Sequence, residues 1–256
     1  MSSGWKIHSG LSTRVNYLDK SDNRIVVQDN RLIEACYSMT LIEKRVMYLG
    51  LSKINPRMLR GEKPQRAFDV TPDEYQKFFP DEQQPARALK KAALKLKSRF
   101  VTLHPKEGRV KSINWFEYAE YDDAKNRNGT GMVELKFTPS VMPFLTPLLE
   151  QFTQVNLLSV SRLKSVHSIR LYELMSQYKS TGYRVMTVED FRIAMDSEIK
   201  YPTTKLLIQK VLKPAVEEIN RASDLAVNYK PLKVGRRIKQ LYFGIENDDQ
   251  LDLLKD

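Results

Sequence analysis

Apolar residues recur every three or four positions in four long segments of the chain. These segments cover about residues 41–54 and 85–99 in the first half and about residues 166–179 and 203–222 in the second. Because positions three and four apart lie on the same side of an α-helix, each segment predicts a helix with one buried face. Shorter runs with strand-like alternation lie between and after these helices.

Signals for the start of a helix stand at corresponding places in the two halves. TPDE at residues 71–74 and TVED at residues 187–190 each follow a strand-like run, at 66–70 and 183–186. Each offers a threonine as the cap and an acidic residue three positions later, which is a capping-box pattern. TLIE at residues 40–43 starts the preceding helix of the first half in the same way. Both halves therefore have the order helix, strand, helix, helix, strand, strand.

Strands are predicted at the end of each half. In the first half we pair residues 100–104 with residues 132–137, and residues 113–121 are a further strand candidate. In the second half residues 225–232 and 237–245 predict a hairpin. This order predicts an α+β fold of two tandem winged-helix domains, each a helix-turn-helix with a β-hairpin wing. Two unrelated α+β domains with the same element order are the alternative.

We expect four regions along the 256 residues. They are an N-terminal arm (1–25), a first winged-helix domain (26–150), a second winged-helix domain (151–246) and an acidic tail (247–256). The boundary between the domains is predicted near residues 147–154, after the proline-punctuated run TPSVMPFLTP.

The chain carries 42 Lys and Arg residues against 31 Asp and Glu, which gives a net charge of +11. Such an excess favours a polyanionic partner, nucleic acid before an anionic membrane surface. No apolar run approaches the ~18 residues of a membrane span, and no export signal is visible near the N-terminus. The lone cysteine, Cys36, suits a reducing compartment and is interpreted as a small core residue of an apolar helix. We therefore expect a cytoplasmic protein with no membrane partner.

The predicted helices at 85–99 and 203–222 carry basic stripes opposite their apolar faces, and the apolar face of the first extends to Phe100. Lys and Arg donate to guanine, whereas Gln pairs with adenine through two hydrogen bonds. A mixed stripe is therefore predicted to read bases, and an all-cationic one to contact phosphates. A solvated lysine-rich face is the alternative. The first stripe is Arg87, Lys91 and Lys95, with Lys90 and Lys97 beside it, and the second is Lys205, Gln209 and Lys213.

The start and the middle of the last helix carry further signals. Thr203 and Thr204 stand at its N-terminus, where they are candidate phosphate donors. Pro214 lacks the N–H that would bond to the carbonyl of Lys210, so a kink is predicted there.

The hairpin predicted at 225–245 is basic throughout and has no acidic residue. Like charges repel along a ribbon, and they become favourable when phosphates lie beside them, so we interpret it as a wing that contacts DNA. A flexible solvated loop is the alternative. The wing candidates are Lys230, Lys233, Arg236, Arg237 and Lys239, with Lys106, Arg109 and Lys111 as a weaker counterpart in the first half.

Residues 26–246 resemble the plasmid replication initiators of the Rep_3 type. The resemblance is carried by EACYSMTLIEKRVMYL (34–49), FTQ (152–154), RLYE (170–173) with Tyr178, and EIN (218–220). It implies a tandem winged-helix protein that binds repeated sites (iterons) in a plasmid origin as a monomer, helps to open the duplex and recruits host replication proteins, an initiator and a helicase. It also implies dimers that repress their own gene, with the first domain contributing to dimerisation. The base-reading positions of the family map onto Lys205, Gln209, Lys210 and Lys213.

An enzyme and a dedicated transcriptional repressor are the other hypotheses. Nicking initiators use a tyrosine beside a metal held by His-x-His, but no two of His8, His104 and His167 are two residues apart. No phosphate-binding loop of the G-x-x-x-x-G-K-[ST] type occurs, and no cofactor is expected. Tyr172 and Tyr178 stand at helical spacing, which favours packing. A repressor would need the same fold, so the sequence does not separate it from an initiator.

Overall fold

The computed structural model describes residues 24–55, 64–106, 108–123, 131–146, 151–197 and 200–247. Nearly all of the predicted arm and tail, residues 1–23 and 248–256, lies outside these ranges, as does part of the predicted boundary, residues 147–150. Within the described ranges, no helix is both long and apolar enough to cross a membrane.

The described residues of the first half form four helices and six strands before a short 3₁₀ turn. Three threonines form the predicted caps: Thr40 and Thr71 in this half, and Thr187 in the next, each accept a hydrogen bond from the backbone N–H three residues on. The elements are β1 (Ile25–Asp29), α1 (Asn30–Glu34), α2 (Leu41–Leu51), β2 (Ala67–Val70), α3 (Pro72–Phe78), α4 (Pro85–Leu96), β3 (Phe100–Lys106), β4 (Arg109–Asn114), β5 (Phe116–Asp122), β6 (Met132–Phe137) and the 3₁₀ turn (Met142–Phe144).

The second half repeats this plan in a shorter form. A π-helical turn (Ile208–Leu212) joins α8 to α9, so the three follow one another as one continuous helical rod. The elements are β7 (Phe152–Asn156), α5 (Leu157–Arg162), α6 (Val166–Ser176), β8 (Tyr183–Thr187), α7 (Val188–Ala194), α8 (Thr204–Leu207), α9 (Lys213–Ala222), β9 (Leu225–Val234) and β10 (Arg237–Asn247).

The two halves have the same sheet topology. The strand orders are β2-β6-β5 in the first half and β8-β10-β9 in the second. In each sheet the strand before the helix-turn-helix pairs with the last strand, which also forms a hairpin with the strand before it. β1 pairs with β7, and the buried apolar residues of both halves form one connected cluster. The expectation of two winged helices, rather than two unrelated domains, is confirmed.

The strand pairing predicted for the first half is wrong. Residues 100–106 pair with β4, with Val101 opposite Ile113, and β6 pairs with β2 and β5 instead. A close hairpin costs less loop entropy than a distant pairing, and Gly108 allows the tight turn with φ of +72°. The single strand predicted at 113–121 is two strands that meet at the fully buried Trp115.

Two residues predicted on helices lie elsewhere. Phe100 begins β3 and is 53% exposed, because α4 has already ended at Leu96. Cys36 follows α1 in an extended segment, where its backbone exchanges hydrogen bonds with Thr102.

A π-helical turn precedes Pro214, the position of the predicted kink. The N–H of Lys213 donates to the carbonyl of Ile208, five residues back, and Pro214 then stands in the first turn of α9. A proline in the first turn needs no backbone partner, so the wider turn lets the rod continue without a break.

Candidate nucleic-acid interface

The helical rod from α8 to α9 exposes the predicted base-reading residues. Its apolar side, which includes Leu207, Val211 and Leu212, is buried against the core. The π-helical turn falls where Gln209 and Lys210 stand. Lys205, Gln209, Lys210 and Lys213 are all exposed.

The start of the rod is fixed by contacts on both sides. Thr203 is the cap, and its hydroxyl accepts a hydrogen bond from the N–H of Leu206 at 3.2 Å. Arg192 of α7 donates to the carbonyls of Tyr201 and Pro202, just before the cap. Sequence reasoning missed Arg192, which holds the connection between the two helices of this helix-turn-helix.

The predicted wing of the second half is a hairpin of β9 and β10. Gly235 forms the turn with φ of +62°, a value that favours glycine. The register shifts between Ile238 and Gln240, a bulge that adds twist near the tip. All five predicted cations of the wing are exposed: Lys230, Lys233, Arg236, Arg237 and Lys239.

The wing and the rod meet in one open groove of about 1030 Å³. Thr204 of α8 and Arg192 of α7 line one side of it, and Arg236, Arg237 and Lys239 line the other. The structure thus brings wing cations together with the N-terminus of the predicted recognition helix. A helix N-terminus and arginine side chains both favour an anion such as phosphate. Glu189 is also in the lining, at the groove edge formed by α7.

The corresponding helix of the first half, α4, also presents its predicted stripe to solvent. Arg87, Lys90, Lys91, Lys95 and Lys97 are exposed, whereas Leu89, Ala92, Ala93 and Leu96 are buried as predicted. Lys90 already has local partners, since its Nζ lies 3.1 Å from the Asp123 carboxylate and 5.4 Å from the centre of the Tyr121 ring. Tyr121 lies near the end of β5, and Asp123 directly follows that strand.

The structure contradicts the wing assigned to the first half. By topology the counterpart of β9–β10 is the β5–β6 hairpin, whose tip, residues 124–130, lies outside the described ranges. Lys106, Arg109 and Lys111 instead belong to the separate β3–β4 hairpin. Arg109 and Lys111 are exposed there, and the side chain of Lys106 is outside the described part of the structure. The extra hairpin has no equivalent among the described elements of the second half, so comparison of the halves could not identify it.

Two observations on the described residues concern the enzyme hypothesis. No group of three or more His, Cys, Asp or Glu side chains among them could hold a metal ion. Tyr172 is 1% exposed, and its hydroxyl donates to Asp224 at 2.5 Å. Burial, with the neighbouring Asp224 carboxylate, raises the pKa of this tyrosine well above its ordinary value.

The shared sheet topology and the two exposed helices define a tandem winged-helix protein. Two family models match it: "Initiator Replication protein, WH1" over residues 25–176 and "Initiator Rep protein, WH2" over residues 187–245. The chain belongs to this family of replication initiators. The first match ends after α6 and the second begins with α7, and the domain boundary predicted near residues 147–154 stays a prediction.

Two relatives and one solved structure are also similar to this chain. The chain is 26% identical over 237 residues to a replication initiation protein of Escherichia coli, across 90% of this chain and 72% of the relative. It is 28% identical over 215 residues to an uncharacterized 27.6 kDa protein of Escherichia coli, across 80% of this chain and 88% of the relative. The crystal structure of the Pi initiator protein in complex with iteron DNA matches with a TM-score of 0.72 at 22% identity, over 89% of this chain and 98% of that chain. The likeness to the Pi initiator structure concerns the fold alone.

Proposed function

We propose that this protein binds iterons, the direct repeats of a plasmid origin, as double-stranded DNA and thereby initiates plasmid replication. The observation that carries the proposal is the groove that Arg236 and Arg237 of the wing line together with Thr204 at the start of the rod. The fold-level likeness to the Pi initiator, which was crystallised with iteron DNA, supports the same partner.

The two halves have different roles in this proposal. In the second half Lys205, Gln209, Lys210 and Lys213 read base edges, with Gln209 suited to adenine. The π-helical turn supports this assignment, because such turns are frequent at functional sites. In the first half Arg87, Lys90, Lys91 and Lys95 of α4 contact phosphates, and Lys90 exchanges Asp123 for a phosphate oxygen. Thr203, Thr204 and the wing cations hold the backbone beside the recognition helix.

A replication assay tests the proposal against the repressor alternative. The test plasmid carries this gene, its flanking repeats and a selectable marker, but no other replication origin. It is introduced into a bacterium that is then grown under selection. We expect the plasmid to replicate, and a matched plasmid with scrambled repeats to be lost. If the first plasmid is also lost while the protein still protects the repeats in a footprint, the chain is a repressor.

We further propose that the protein does not cleave DNA. The burial of Tyr172 and its hydrogen bond to Asp224 support packing rather than attack on a phosphodiester. Incubation with supercoiled plasmid and Mg²⁺ should leave the supercoiled form intact at every protein concentration. The appearance of relaxed circles with protein bound to a 5′ end would show a nicking enzyme.

The resemblance to the family supports two more partners. We propose that a second copy pairs with the chain in a dimer that represses its gene, and that a host initiator and helicase are recruited at the origin in the bacterial cytoplasm. Sedimentation of the purified protein across a range of concentrations tests the first point. Co-purification of the origin complex with host initiator and helicase tests the second.

A further inference from the structure

A fully buried ion pair joins α2 of the first half to α6 of the second. Lys44 on α2 and Glu173 on α6 are each 0% exposed, and Lys44 Nζ lies 2.7 Å from Glu173 Oε1. Arg170, one turn earlier on α6, places Nη1 3.0 Å from Glu173 Oε2. Both sides of this interface lie in the segments, 34–49 and 170–173, that carry the family resemblance.

Two tyrosines of the first half complete the surroundings of the Glu173 carboxylate. Tyr37 donates its hydroxyl to Oε2 at 3.1 Å, and Tyr48 donates to Oε1. Lys44, Arg170, Tyr37 and Tyr48 therefore give the carboxylate four donors, and three of them come from the other half of the chain. We call these five residues the Glu173 cluster. All of its hydrogen bonds form only in one relative placement of α2 and α6, because each hydrogen bond depends on direction and distance.

Contacts at and beside the Glu173 cluster reach the segments that precede both predicted DNA-contacting helices. On one side Arg170 Nε donates at 2.9 Å to the carbonyl of Ala194, the last residue of α7. The segment that follows Ala194 leads into α8. On the other side Arg45, the neighbour of Lys44, pairs with Asp81 at 3.0 Å in the connection before α4.

We propose that Glu173 is a positioning residue that fixes the two DNA-contacting helices relative to each other. The chain then prefers repeats whose two contact regions have one particular separation. This inference rests on the proposed function for its DNA consequence, but not for its structural one. The cluster contains two cations and one carboxylate, so loss of the carboxylate leaves two like charges buried near each other, which disfavours the joined arrangement of the halves.

The structural test compares two Glu→Gln variants of the full chain. Glu173→Gln keeps the size of the side chain and removes its charge. Glu43→Gln is the matched control, because Glu43 is also buried and pairs with Arg99, but within the first half. In a Cys36→Ser background, spin labels at two exposed helix positions, Leu94→Cys and Glu189→Cys, report the distance between the halves.

We expect a narrow distance distribution for the parent and the Glu43→Gln variant, and a distribution at least twice as wide for Glu173→Gln. Circular dichroism confirms that each variant is folded. If Glu173→Gln does not fold, the pair Tyr37→Phe with Tyr48→Phe replaces it, since it removes two donors without changing a charge, and it should broaden the distribution in the same direction. A distribution as narrow as the parent's in the folded variant overturns the proposal.

The DNA test uses the duplex that the parent chain protects in a footprint of the DNA flanking its gene. A second duplex carries five extra base pairs between the two protected regions. We expect the parent and Glu43→Gln to prefer the first duplex at least tenfold, and Glu173→Gln to prefer it less than threefold. An unchanged preference in Glu173→Gln refutes the positioning role. If the parent protects no DNA, the proposed function fails, and the distance measurement alone decides whether the cluster fixes the halves.

Discussion

Arg184 on β8 and Glu34 on α1 form an ion pair between the two halves of the chain, with Nη2 of Arg184 2.7 Å from one carboxylate oxygen and 2.8 Å from the other. Nη1 of the same guanidinium donates to the Leu174 carbonyl and to Gln177, each at 3.1 Å. The arginine side chain is 7% exposed, whereas that of Glu34 is 41% exposed. Loss of the buried arginine should therefore destabilise the fold more than loss of the more exposed glutamate.

Replacement of Arg184 with Met should lower the free energy of unfolding by about 1–3 kcal/mol, because the buried Leu174 carbonyl on α6 loses a donor, as does the half-buried Gln177 that follows this helix. The control is Arg66→Met, which breaks the more exposed pair with Glu117 and should cost less than ~1 kcal/mol. Urea unfolding followed by circular dichroism measures both. Equal losses of unfolding free energy in the two variants would show that burial does not determine how much each ion pair contributes to stability.

Stability should rise with pH in a window set by Lys44. Burial lowers the pKa of its ammonium from 10.5 to about 8, Glu173 opposes this shift, and Arg170 adds to it. Above pH 8 the folded chain therefore loses a proton that the unfolded chain keeps, so the free energy of unfolding rises by on the order of 1 kcal/mol per pH unit. Burial also raises the pKa values of Tyr37 and Tyr48 above the ordinary 10. Above pH 10 the unfolded chain loses their protons first, which reverses the trend.

Urea unfolding at several values between pH 8 and pH 10 measures this dependence. The Lys44→Met variant lacks the titrating group and serves as the control. The difference between the two slopes isolates the contribution of Lys44, since other groups contribute to both. Parallel slopes would mean that Lys44 keeps an ordinary pKa in the folded chain.

Gln209 is the one neutral side chain of the predicted second stripe, so its replacement tests base reading directly. Gln209→Ala should relax the preference at one base position by about 1–3 kcal/mol, the value of a good two-bond contact. Binding to a panel of point-mutated repeats measures the change. Lys239→Ala on the wing is the comparison, and it should weaken binding to all sequences alike, because a phosphate contact carries no sequence information. If the ranking of the panel survives Gln209→Ala, this glutamine does not read a base.

Reversal of charge at the tip of the wing should abolish binding without unfolding the protein. Arg236→Glu with Arg237→Glu changes exposed residues, so stability should move by about 0.5 kcal/mol or less, while phosphate attraction becomes repulsion. The matched control is Arg109→Glu with Lys111→Glu on the β3–β4 hairpin, which has the same charge change outside the winged sheets. We expect a much smaller loss of affinity there. Tight binding by the first variant, with normal thermal melting, would exclude the wing from the interface.

The stripe on α4 should contribute through phosphates. Arg87→Ala, Lys91→Ala and Lys95→Ala together should weaken binding to every sequence and reduce the slope of log K against log salt by about 0.9 for each lost contact. Titrations at four salt concentrations measure the slope, and melting confirms that the triple variant is folded. An unchanged slope would show that the stripe is a solvated face that contacts no phosphate.

The sequence by itself determined the local elements and the repeated plan of this protein. Thr40, Thr71 and Thr187 mark helix starts because a cap is a contact between residues three apart, and the wing turns at Gly235 because that backbone conformation favours glycine. The exposure of the stripes on α4 and on the rod also followed from helical periodicity. Each of these features depends on neighbours within a few residues.

Only the tertiary structure decided which distant surfaces meet. It assigned β6 to β2 and β5 rather than to β3, and so removed Arg109 and Lys111 from the wing. It also placed Lys44 against Glu173, a pair that no spacing in the sequence indicates. The partner of a strand edge or of a buried charge is selected when the whole core closes, because burial makes an unpaired hydrogen-bonding group or charge costly. That selection involves residues far apart along the chain, and no local pattern records it.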